Sequence, residues 1–175
     1  MFKSLLLLLA CAGLGVAQDA ASAVSAVREL SGAVKTGDMS WMVDKMYPSL
    51  RKTLQESEGG EEKLKVKFLQ AKEAMKKAGF VVESFEVLPP AGEYDVKQGR
   101  EKMVIVPTRT VFSILESGKK VKMEQKGFLY AIAKKDNPGT WYFLAGNANL
   151  NQVRDLFYDL PDNIALPELS TKPLP

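Results

Sequence analysis

The chemistry open to this chain is narrowed first by two residue types. It contains no histidine, and its single cysteine, Cys11, sits inside an apolar N-terminal stretch. Ser-His-Asp and Cys-His nucleophiles are therefore not available, and neither are zinc sites built on His or Cys. Proton transfer is left to Asp, Glu, Lys and Tyr. The carboxylates that could serve are Asp38, Asp44, Glu86 and Glu124, with Tyr47 or Tyr130 as the phenol. Work near neutral pH would need one of those carboxyls raised by burial, or a lysine lowered by it. Most Asp and Glu lie beside turns, lysines or helix starts, where the ionised form is favoured. Alternation sets Glu86 out of phase with Phe85 and Val87, so it points outward if those two are core. Glu124 is in phase with Phe128, Tyr130 and Ile132, and is the one carboxylate expected on the buried, concave side of a sheet.

A second pattern is apolar. Met39, Met42 and Met46 cluster with Trp41, Tyr47 and Phe68, and thioethers among aromatics can line an adaptable pocket or simply fill a core. The candidate ligand-binding set is Trp41, Met42, Met46, Tyr47, Phe68, Glu124 and Tyr130. No catalytic residue, metal ligand or cofactor is assigned. Glu56, Glu58, Glu61 and Glu62 gather at a helix start, where carboxylates complement the helix dipole. Lys119, Lys120, Lys122 and Lys126 surround a hairpin, where lysine discourages edge-to-edge pairing. Gly59-Gly60 lacks the spacing of a phosphate loop.

The elements that must position these groups change character at Gly79. Before it, Val24, Val27, Leu30 and Val34 recur at helical spacing, and Gly37 marks a C-terminus. A second helix carries Met42, Val43, Met46 and Leu50, with Pro48 forcing a kink or restart near Tyr47. A third runs from Glu61 to Ala78. After Gly79 the period is that of strands: Phe80–Leu88, a long strand over Arg100–Leu115, a hairpin at Ser117-Gly118-Lys119, Lys122–Lys134, and Thr140–Ala145. Pro107 lies inside the long strand and predicts a bulge or bend there. A short C-terminal helix over Asn151–Tyr158 precedes a Pro-punctuated tail. Helices first and strands after means α+β segregation.

Residues 1–17 read as an export signal: Lys3, an apolar run from Leu5 to Val16, and small residues at Gly15 and Ala17. The run falls short of the about 20 residues a span requires. A lipoprotein signal is the alternative, with Leu8-Leu9-Ala10-Cys11 as its box and Cys11 as the lipid anchor. Residues 18–160 then form one domain, and 161–175 a tail. Cleavage leaves 23 cationic against 21 acidic residues, no concentrated basic footprint for nucleic acid. The mature chain keeps no cysteine, which fits a bacterial envelope or secreted protein held together without disulfides.

Thr36-Gly37-Asp38, Tyr47-Pro48-Ser49-Leu50, Gly59-Gly60 and Trp141-Tyr142-Phe143-Leu144, set in three helices followed by an antiparallel meander, resemble the nuclear-transport-factor-2-like superfamily. That resemblance implies three N-terminal helices on a strongly bent, cone-like sheet, as in ketosteroid isomerases, polyketide cyclases and uncharacterised exported bacterial proteins. Isomerases of this superfamily use a carboxylate base beside an oxyanion hole made of a Tyr and a protonated carboxylic acid. None of their positions is carried onto this chain. The expected function is an exported, non-catalytic domain binding a small apolar ligand or an envelope protein. The alternatives are an isomerase, dehydratase or cyclase using a buried carboxylate and a Tyr, and an interaction module working through its sheet face, which could also form a homodimer.

Overall fold

The computed structural model describes residues 19–38, 40–137, 139–147 and 150–175. Residues 1–17, read from sequence as an export signal, with Cys11, and Met39 lie outside the described residues.

Each N-terminal helix begins and ends where its local chemistry directs. Helix α1 (Ala20–Thr36) opens on a capping box, with Asp19 Oδ1 accepting from the Ser22 amide at 2.8 Å, and closes on Gly37 at φ +64°. Asp38 Oδ1 then accepts from the Ser40 amide at 3.0 Å, starting α2 (Ser40–Asp44). The chain restarts at Pro48, the first residue of α3 (Pro48–Glu58), where its missing N–H costs nothing. Between them, Lys45–Tyr47 runs extended beside the sheet: the Phe143 amide donates to Lys45 O at 2.7 Å and the Tyr47 amide to Phe143 O at 3.2 Å. Helix α4 (Glu61–Lys77) follows.

The sheet is antiparallel, unclosed and six-stranded. Its spine is a pair of long strands, β3 (Glu101–Glu116) and β4 (Lys119–Lys134), joined by the two-residue turn Ser117-Gly118, both at positive φ as a right-twisted hairpin requires. Each border is built from two short strands laid end to end. β1 (Val81–Val87) and β2 (Gly92–Val96) share the outer edge of β3. β5 (Trp141–Ala145) and β6 (Ser170–Pro173) share that of β4. The segment expected to be a tail thus supplies a strand, and an edge position is where Pro173 is tolerated. Helix α5 (Leu150–Leu156) lies between β5 and β6 in the chain.

Pro107 causes no bulge. β3 and β4 keep one register from Glu101↔Lys134 to Glu116↔Lys119, passing through Pro107↔Phe128. The carbonyl of Pro107 faces β1 and β2, accepting from the Leu88 amide at 2.9 Å, so its nitrogen faces the same way. There it meets the Leu88–Ala91 connection, where the border strand is already interrupted and no ladder donor is needed. The irregularity falls instead in β1, between Val82 and Ser84.

Both sheet faces are covered over the Glu101–Val106 half of β3. On one face Val104, Val106, Ala131, Ala133, Trp141 and Phe143 pack under α1 through Ala23, Val24, Val27 and Leu30. On the other, Met103, Ile105, Phe128, Tyr130 and Ile132 pack under Val153, Phe157 and Leu160, with Tyr47. Burial on both sides explains the unbroken aliphatic run from Met103 to Val106. Of the three expected N-terminal helices, the first lies along the sheet, whereas α4 has its nearest neighbours in α3 and α2. Its apolar stripe is narrow: Leu64 is buried, but Val66 and Leu69 are 50% and 63% exposed. Ion pairs complete the α3–α4 contact, Arg51 Nη2 to Glu61 Oε1 at 3.1 Å and Lys67 to Glu58.

Candidate ligand-binding cavity

Helical spacing puts Leu30 and Val34 on one face of α1, one turn apart. Where α1 outruns its contact with the aliphatic half of the sheet, these two side chains roof a cavity of about 530 Å³. Trp41 closes one side from α2, held edge-on to Phe143 with ring centroids 6.5 Å apart. Met75 of α4 closes another, and Phe80, Val82 and Phe85 enter from the start of β1. The floor is the sheet itself: Thr108 and Thr110 of β3, Gln125 and Leu129 of β4. Leu169, Ser170 and Thr171 form the far wall, so β6 is part of the enclosure.

Gly146 is required at its border. A Cβ there would lie 2.5 Å from Phe128 O and 2.7 Å from the Phe128 ring, while the Gly146 amide bonds that same oxygen at 2.9 Å. Only glycine lets the chain leave β5 this close to β4.

The wall is mostly apolar and contains no Asp or Glu among the described residues. Its polar groups are neutral, apart from Lys126. That lysine is in phase with Glu124 and Phe128, which belong to the opposite face, and its Nζ lies 3.5 Å from Glu168 Oε2. The Thr108 and Thr110 hydroxyls and the Gln125 amide have no side-chain partner among the described residues, which leaves them open to a ligand. Such a lining can hold and orient a molecule through apolar contact and a few hydrogen bonds. Among its described residues there is no carboxylate or phenol for moving protons.

Of the residues singled out from sequence, Trp41 is in this cavity and the others are elsewhere. Met42 is half-buried on α2, Met46 forms the isolated bridge to Phe143, and Phe68 is half-buried on α4. Tyr130 is fully buried on the opposite face of the sheet; its hydroxyl has no partner among the described residues, and burial pushes its pKa up. Glu124 is also buried and in phase with Tyr130, but on the face turned away from the cavity. Arg109 Nε donates to its Oε2 at 2.6 Å and Lys172 Nζ lies 3.3 Å from Oε1. Arg109 above all, then Lys172, hold its carboxyl below the ordinary carboxylate value despite burial. Glu86 is exposed beside Arg109 at 3.7 Å, on the face opposite Phe85.

Tyr47 does meet a carboxylate, one the sequence did not single out. Its hydroxyl donates to Glu101 Oε2 at 2.8 Å, and burial, followed by that bond, drives the phenol upward. This pair borders a different hollow of about 460 Å³, rimmed by Lys97, Arg100, Lys134 and Lys135. The main cavity has one sequence signature that was open to reading: Thr108 and Thr110, two residues apart after the aliphatic run Met103–Val106, put polar groups on the same face as Val104 and Val106.

A scan against protein-family models, a search of curated proteins and a search of solved structures found no match to this chain.

Proposed function

We propose that this chain is an exported, non-catalytic binding domain of the nuclear-transport-factor-2-like type, and that a small, largely apolar molecule occupies the cavity beneath α1. The observation that carries this reading is the cavity wall: about 530 Å³, within the range of small-molecule sites, apolar with a few neutral hydrogen-bonding groups and no carboxylate. The architecture supports the superfamily assignment, with helices first, a bridge from the α2–α3 junction to β5, and an antiparallel sheet after them. Export rests on residues 1–17, and places the mature domain in the periplasm or outside the cell.

The isomerase alternative needs a carboxyl of raised pKa against bound ligand. Glu124 is depressed and faces the other way, which favours binding over catalysis. Native mass spectrometry of protein taken from its host tests the proposal. A retained small molecule, lost when Leu30 and Val34 are both changed to Trp, supports it. Protein that carries no adduct and fails to bind the neutral probe N-phenyl-1-naphthylamine refutes it.

A further inference from the structure

The main cavity does not end at Met75. A second hollow of about 240 Å³ adjoins it and shares Val34, Gly37, Met75, Phe80 and Val82 as common wall. Beyond that shared wall the character of the lining changes. Lys35 enters from the last turn of α1, and Lys72 and Lys76 from successive turns of α4, with no Asp or Glu among the lining residues.

Several lysines elsewhere on the molecule are neutralised by carboxylates. Lys65 and Lys67, on the same helix, pair with Glu61 and Glu58; Lys102, Lys120, Lys122 and Lys172 also have carboxylate partners. Lys35, Lys72 and Lys76 have no ion-pair partner within 4.0 Å among the described residues. Lys72 acts electrostatically on Asp38, whose carboxylate is already bonded to the Ser40 amide and hydroxyl. Helix dipoles account for Lys35 and Lys76, which lie in last turns, but not for Lys72, one turn further in.

We propose that the ligand is an anionic amphiphile, its apolar body in the main cavity and its acidic head among Lys35, Lys72 and Lys76. This deepens the binding reading above and rests on it. An apolar chamber alone would favour an alcohol over the matching carboxylate, because the charged head loses hydration on entry. Three ammonium groups at one end reverse that order, through charge-assisted hydrogen bonds to the head.

The test is displacement of N-phenyl-1-naphthylamine by dodecanoate and by dodecan-1-ol, each below its aggregation limit. Dodecanoate should displace the probe at a concentration at least about tenfold lower than the alcohol. Changing Lys35, Lys72 and Lys76 together to Gln should erase that ratio, and changing all three to Arg should keep it. The proposal is overturned if the alcohol competes as well as the acid in the unmodified protein, or if the triple Gln variant retains the ratio. If the probe does not bind at all, the cavity reading falls with it; if the probe and the alcohol bind without preference for the acid, only the anionic head is refuted.

Discussion

The hydroxyl of Tyr47, at the break between α2 and α3, donates at 2.8 Å to the carboxylate of Glu101, the first residue of β3. Both residues are buried, so the bond ties the helical half of the chain to the sheet at the border of the hollow that Lys97 and Arg100 rim. Tyr47→Phe removes the donor and leaves a buried carboxylate with one bond fewer. The expected loss is about 1–3 kcal/mol, read as a lower denaturant midpoint with an unchanged slope. Glu101→Gln, which retains an acceptor for the phenol, should cost less than Tyr47→Phe. Equal losses would mean that packing of the ring, rather than the bond, matters.

Glu124 makes stability depend on pH. Its folded value lies below the ordinary 4.5 because of Arg109 and Lys172. A depressed carboxylate contributes in full above its unfolded value, and that contribution disappears as pH falls through the folded one. Thermal midpoints should therefore drop on acidification below about pH 4.5, and Glu124→Gln should drop less steeply. Asp159, Glu61 and Glu83 are also depressed and contribute to the background slope, so the difference between the two proteins is the measurement.

Asp159 holds the turn between β2 and β3. Lys97 and Gln98 both sit at positive φ, 56° and 58°, and their amides donate to the two Asp159 carboxylate oxygens. A left-handed non-glycine residue costs about 1–2 kcal/mol, and these bonds offset it. Asp159→Ala should destabilise by about 1–2 kcal/mol. Adding Gln98→Gly to that variant should recover roughly half, because glycine adopts the same φ without strain. Chemical denaturation of the single and double variants decides it.

The strand β6 should matter to both stability and binding. Removing residues 170–175 takes away four paired positions on β4, the Lys172 partner of Glu124, and Ser170 and Thr171 from the cavity wall. Release of N-phenyl-1-naphthylamine should become faster in stopped-flow measurements, and the thermal midpoint should fall. An unchanged release rate would show that ligand exchange uses another route.

Much of the fold was legible because its signals are local. Gly37, the restart at Pro48, the period change at Gly79 and the Ser117-Gly118 turn each act within a few residues. The less local the pairing, the less could be read. Gly92–Val96 and Ser170–Pro173 are too short to carry a pattern, and become strands because β3 and β4 offer edges to them. Pro107 read as a break because its tolerance depends on where a distant border strand stops. The phase of Glu124 was legible, and it is buried as that phase required. Which face holds the cavity was not, since that depends on α1 covering one side and the α5 segment the other. Trp41 was found because aromatic clusters stand out; Leu30, Val34 and Phe85 look like any core residue until the roof and floor are seen to part.

The end-to-end construction of both sheet borders has a consequence for how the protein survives at high concentration. A sheet whose spine is 16 residues long would, with single full-length outer strands, present a 16-residue row of unsatisfied amides and carbonyls to any neighbour. Here the outermost strands run for 7 and 5 residues on one side and 5 and 4 on the other. Pro89-Pro90 interrupts the first border, Pro173 closes one end of the second, and the chain at Lys45–Tyr47 occupies part of the outer edge of β5. A foreign strand thus meets short, proline-punctuated templates, and each copy of the chain is left to pair its strands with its own before those of its neighbours.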